Sequence, residues 1–200
     1  MDNVEIIKNM PLDGGNLSLN FINTYKDRLV ASPIDYLTGK EEWIAWLKKV
    51  GILENEITNF DDVDFNLKEV KKKREFLHRV FQGLAFHREI KEKDLKCFDS
   101  LLQKIRRATK IFVVDNIPQE YLEIDANDLN SYILKIGKAA HELLMSEKTD
   151  RIKECGNCGW LYYDSSKNKC RKWCNMDTCG NEVKARKYYE SKKKLKDKIV

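Results

Sequence analysis

Cys155-Gly156-Asn157-Cys158 and Cys174-Asn175-Met176-Asp177-Thr178-Cys179 form two ligand hooks in the last quarter of a 200-residue chain. Two residues separate the first pair, fifteen separate the hooks and four separate the second pair. That spacing suits a tetrahedral Cys₄ zinc ion, because the intervening segment is long enough to fold back as a hairpin. Gly156, Gly159 and Gly180 beside the hooks are expected to permit the tight turns that bring amide groups near thiolate sulfur. Four thiolates fill the tetrahedron and leave no position for water, so a single structural Zn²⁺ is expected rather than a catalytic one.

A disulfide framework is the competing reading, and it requires an oxidising compartment. Residues 1–15 contain Asp2, Glu5, Lys8 and Asp13 with no apolar run of leader length, and no run in the chain is long enough to span a bilayer. Reduced thiols, a cytoplasmic location and no membrane association are therefore expected. Of the two remaining cysteines, Cys97 reads as a small buried apolar side chain within Glu92–Ala108. Cys170 reads as a hairpin residue beside the metal rather than a fifth ligand.

Working outward from the hooks, Trp160–Asp164 and Cys170–Trp173 are predicted to pair around Ser165–Asn168, which has turn chemistry. After Cys179, Asn181 is a candidate N-cap for a helix over Glu182 to about Lys198, with Ala185, Tyr188, Tyr189, Lys192, Leu195 and Ile199 on one side. Knuckle, hairpin and helix in that order predict a treble-clef-like module over 151–200. The net charge of +5 hides an asymmetry, since residues 151–200 hold 14 Lys or Arg against 6 Asp or Glu. A basic surface of this kind is the footprint of a phosphate-binding face, with Arg171, Lys172, Lys184, Arg186 and Lys187 as candidate nucleic-acid contacts. The bland alternative is a solvated lysine-rich helix on a zinc-stabilised protein-interaction module.

Upstream, residues 1–150 read as a mainly helical domain. Asn16 caps a first helix carrying Leu17, Phe21, Thr24, Tyr25 and Arg28. Thr38 and Glu41 form a capping-box pair ahead of Trp43, Trp46, Leu47 and Val50, with Gly51 as the stop. A polar loop at Asn59–Asp64 precedes two long amphipathic helices, Leu67–Leu84 and Leu95–Ala108. Ile111–Asp115 and Tyr121–Asp125 suggest a small hairpin around Asn116–Glu120, and a last helix runs from Leu129 to Ser146. The predicted fold class is mainly α with a small β-hairpin (α+β), and the two units are expected to pack closely, with a boundary near 148–153.

Enzymatic chemistry finds little support, because His78, His87 and His141 stand alone on predicted helices. Asn20, Asn23 and Arg28, close in sequence to Trp43 and Trp46, are the candidates for a small-molecule site.

The pattern Cys155-x-x-Cys158 with Arg171-Lys172-Trp173-Cys174-x-Met176-x-x-Cys179-Gly180-Asn181-x-x-Lys184 resembles the CGNR zinc finger. Gly15–Thr24 and Trp46-Leu47 with Gly51 resemble the ABATE domain of stress-induced bacterial transcription regulators, which precedes that finger. The resemblance implies a cytoplasmic, DNA-binding regulator whose N-terminal domain senses a ligand or a protein partner. Glu182 stands where the family has Arg. A carboxylate there suits the first turn of a helix but would repel a phosphate at that spot. Palindromic sites favour dimeric regulators, so a homodimer is an open expectation, although no heptad seam marks an interface.

Overall fold

The computed structural model describes residues 2–53 and 63–196, with side chains of the last helix described to Lys194. The Asn59–Asp64 loop lies outside the described residues up to Asp62, as do Lys198 and Ile199. The architecture is mainly α, with two small antiparallel hairpins. The element order is α1 (Asn3–Asn9), α2 (Leu17–Ile22), α3 (Lys40–Lys49), α4 (Leu67–Ala85), α5 (Glu92–Ala108), β1 (Thr109–Val114), β2 (Ile117–Leu122), α6 (Ile133–Leu144), β3 (Ile152–Glu154), β4 (Leu161–Tyr163) and α7 (Asn181–Lys196). Among the described residues no helix is long and apolar enough to cross a membrane.

α4 is the axis of the molecule. Its stripe of Val70, Phe76, Leu77, Val80 and Phe81 is buried, and the helix packs against α2, α5, α6 and the β3–β4 hairpin. Phe21 of α2 closes an aromatic cluster with Trp43 and Trp46, whose rings stack at 5.4 Å. The Trp43 indole N–H donates to the Leu129 carbonyl at 2.9 Å, which meets its polar need inside the core. Gly137 lets α6 approach α5, because a Cβ there would stand 2.7 Å from Leu101.

The long helices follow their periodicity, and the differences are local. α2 ends at Ile22 rather than reaching Arg28, since the Thr24 hydroxyl bonds back to Phe21 and Asn23 is turned toward β4. Gly39 precedes α3 as a cap without a side chain, and the Thr38 hydroxyl instead accepts from Asn3 at 3.1 Å. β1 and β2 meet at a two-residue turn, not a five-residue loop. Asp115 and Asn116 take φ of 50° and 61°, values that these short polar side chains tolerate and that match the twist of a tight hairpin. Cys97 is exposed, contrary to the expected burial, because the inward stripe of α5 is Asp94, Phe98, Leu101 and Ile105.

The expected pairing of Trp160–Asp164 with Cys170–Trp173 is not the one that forms. β4 pairs with β3, in the register Ile152↔Tyr163, Lys153↔Tyr162 and Glu154↔Leu161, so the first hook is the loop of this hairpin. Ile152, Leu161 and Tyr162 are buried in the same core as the helices.

Candidate metal centre and nucleic-acid interface

The first hook hangs from the hairpin ladder. The Cys155 N–H donates to the Trp160 carbonyl at 2.8 Å, and the Gly159 N–H returns to the Cys155 carbonyl at 2.9 Å. Gly159 has φ of 71°, so this turn does need glycine. Gly156 and Gly180 serve differently, through close approach. A Cβ on Gly156 would sit 3.2 Å from the Trp173 ring, and one on Gly180 2.5 Å from the Met176 sulfur and 3.2 Å from Trp173. Trp173 is thus wedged between the two hooks.

The second hook spans six residues, one more than an α-turn closes. The chain accommodates it as a π-turn over Met176–Gly180, in which the Gly180 N–H reaches the Asn175 carbonyl at 3.1 Å. Asn175, not Asn181, caps the helix: its side-chain carbonyl oxygen accepts from the N–H groups of Asp177 and Thr178. Asn181 is already helical, and its amide donates back to Asp177.

The four sulfurs of Cys155, Cys158, Cys174 and Cys179 lie within 4.8 Å of one another. Cys158 and Cys174 are 3.7 Å apart, and Cys174 and Cys179 are 3.6 Å apart. A tetrahedral ion with metal–sulfur bonds of about 2.3 Å would set its sulfurs about 3.8 Å apart, so the donor set fits one Zn²⁺. Hydrogen bonds to Cys155, neighbouring thiols and burial push the Cys158 and Cys174 thiols up, while the same bonds hold Cys155 down. Ion binding must therefore displace protons from a crowded, desolvated cluster. Cys170 is exposed, with its sulfur 3.9 Å from the Ser166 hydroxyl and outside the cluster.

Asp164 organises the loop between the hooks, a role its position in the sequence does not reveal. Its buried carboxylate accepts from Lys153 Nζ at 2.7 Å, from the Ser166 N–H and hydroxyl, and from the Arg171 N–H at 3.0 Å. Desolvation opposes its charge, but these donors outweigh it and hold the carboxyl below the usual carboxylate range.

The hairpin is bonded to the helical body throughout. The Asn23 amide brackets Leu161, donating to its carbonyl at 2.8 Å and accepting from its N–H at 3.0 Å. The Trp160 indole donates to the Tyr25 carbonyl at 2.7 Å, the Arg28 N–H to the Cys158 carbonyl at 2.9 Å, and the Tyr163 N–H to the Gly14 carbonyl at 2.9 Å. Gln82 reaches Glu154 at 2.8 Å, and Asn175 reaches Asp13 at 3.1 Å.

The candidate ligand-binding residues take part in this same framework. Asn23 is fully engaged with Leu161, and the Asn20 side-chain carbonyl oxygen accepts from the Gly14 N–H at 2.9 Å. The Arg28 guanidinium donates to the Ile22 carbonyl and to Glu75, and lies 4.3 Å from the Tyr25 ring centroid.

The basic candidates divide into two groups. Lys172, Lys184 and Lys187 are exposed. Arg171 is half-buried, its guanidinium bonded to the Cys174 carbonyl and stacked 4.8 Å over Tyr162. Arg186 is exposed but donates to Asn157 at 3.1 Å, while the Asn157 amide donates to Glu182 at 2.7 Å. Glu182 and Arg186 therefore clasp the first hook from the start of α7.

Residues 15–116 match the family model ABATE, described as "Putative stress-induced transcription regulator", and this is just over half of the chain. The chain belongs to the ABATE family. Residues 151–192 match the CGNR zinc finger, which brackets the metal cluster and most of α7. No curated protein matches the chain. Within this ABATE protein, then, the finger does not hang from a linker: its first hook is hydrogen-bonded to the ABATE domain that the family model covers.

Proposed function

We propose that the protein is a transcription regulator that binds duplex DNA through the basic surface beyond Asp164, with the ABATE domain supplying the regulatory input from a ligand or protein partner. The observation that carries this reading is α7. It starts at the metal cluster and, among its described side chains, only Val183 is buried. Residues 181–196 hold seven Lys or Arg against Glu182 and Glu190, and Tyr188 and Tyr189 are both exposed. The metal fixes the start of this helix against the body, so its charge is presented in a defined direction. Lys184 and Lys187 are three residues apart and share a face. Lys172, two residues ahead of the second hook, is also exposed.

Duplex-DNA affinity of the zinc-loaded protein across a salt series tests the proposal. Changing Lys172, Lys184 and Lys187 to Ala is expected to weaken binding and to lower the salt slope by about 0.9 for each phosphate that is no longer neutralised. Arg171 and Arg186 are changed separately, because each also holds the finger together. Absence of binding even at low salt overturns the reading.

A further inference from the structure

β1 and β2 leave the body as a ribbon whose residues 111–120 are all exposed. Ile111 is 77% exposed, Val113 63% and Ile117 61%, and Phe112 packs only edge-on to Tyr121 among the described rings. Apolar exposure concentrated in this way marks a surface that meets another molecule.

The ladder decides which edge can be extended. Val114 and Ile117 flank the two-residue turn, and at the far end the Glu123 N–H donates to the Ala108 carbonyl at 2.9 Å. Alternation between these ends makes 112/119 and 110/121 the other bonded pairs. Ile111 and Val113 of β1, and Pro118 and Glu120 of β2, consequently turn their main-chain groups away from the hairpin. The β2 edge is guarded, because Pro118 has no N–H and Glu120 is tied to Lys138 of α6 at 2.5 Å. The β1 edge has neither device, and no hydrogen bond among the described residues reaches the main chain of Ile111 or Val113 from outside the hairpin.

We propose that β1 pairs antiparallel with β1 of a second copy, forming a four-stranded sheet in the order β2-β1-β1-β2 about a two-fold axis. Charge favours a copy over an acidic or basic partner, because Ile111–Val114 carries no charged residue to complement. The register is self-compatible. With Ile111 opposite Ile111 of the second copy, Thr109 meets Val113 and Lys110 meets Phe112, so no like charges face each other. A ribbon open on both edges would extend indefinitely, whereas one guarded edge stops assembly at two chains. This inference does not depend on DNA binding.

Sedimentation of the full-length, zinc-loaded protein over a concentration series, with residue-resolved hydrogen exchange, tests it. The Ile111 and Val113 amides are expected to gain protection as the dimer forms, while the Phe112 amide, inside the ladder, is protected at every concentration. Val113→Lys adds a charge to the open edge without removing a ladder bond, and is expected to weaken dimerisation at least about tenfold with an unchanged circular dichroism spectrum. A wild type that stays monomeric throughout overturns the proposal. So does a dimer in which Ile111 and Val113 exchange freely, or one that Val113→Lys leaves intact.

Discussion

Residues 151–164 and residues 165–196 are drawn around the same four sulfurs, yet the first stretch is packed on the helical body, whereas the second touches it through Asn175 and, beyond its buried cysteines, Gly180 and Val183, is largely exposed. The first stretch buries Ile152, Cys155, Trp160, Leu161, Tyr162 and Asp164 and holds two basic against two acidic residues. Everything from residue 165 to the end of the sequence holds twelve Lys or Arg against four Asp or Glu. The whole charge excess of the finger therefore lies beyond the part that docks. This division has a physical logic: desolvating ammonium groups against the body would be costly, so the docked half is neutral and the charged half is left in water. The metal couples the two halves, since Cys155 and Cys158 belong to the docked hairpin and Cys174 and Cys179 to the start of the free helix.

Removing the metal perturbs both halves most severely. Structural zinc in such modules contributes on the order of 10–16 kcal/mol of apparent binding free energy. Chelation, or Cys158→Ser, is expected to abolish the order of residues 165–196 and also to lower the melting temperature of the helical body, because β3 and β4 are part of its core. Hydrogen exchange resolved by segment checks both effects. A body whose stability ignored the chelator would show the hairpin to be self-sufficient.

Acid probes the α4 surface on which the docked half sits. His78 of α4 lies three residues after Glu75 and four before Gln82, which bond to Arg28 and to β3 respectively. Desolvation and the nearby Arg28 guanidinium lower its pKa from 6.5 to about 4. The unfolded chain therefore takes up the proton first. Stability from the neutral imidazole is complete above about pH 6.5 and falls as the pH drops toward 4, by at most about 3 kcal/mol. The difference in denaturation free energy between wild type and His78→Gln, followed from pH 7 to 4, isolates this contribution from acid release of the metal. A pH-independent difference would contradict the burial argument.

A smaller effect is expected at Asn23. Asn23→Ala leaves the Leu161 N–H and carbonyl without their side-chain partner in a buried site, at a cost of about 2 kcal/mol. Urea denaturation measures it, and the loss is expected to appear in a single transition shared by body and hairpin. Two separated transitions would show that the docked half folds independently.

The sequence was most legible where the chemistry is local. Ligand spacing alone marks the four cysteines, and periodicity marks α4 and α5, because both signals are carried by neighbours a few residues apart. The partner of Leu161–Tyr163 was not legible, since a three-residue strand has no periodicity and its mate lies before the first hook rather than after it. Asn175 and Asn181 are chemically equal candidates for the cap, and the six-residue hook with its π-turn decides between them. Asn23 pairs with a residue 138 positions away. No local rule separates such an amide from one that binds a ligand.

The most direct test of the division is an NMR titration of the zinc-loaded protein with duplex DNA. Amide shifts confined to residues 165–196, with residues 151–164 and the helical body unmoved, are the result expected here. Shifts in the docked hairpin or the body, with α7 unaffected, would contradict the account.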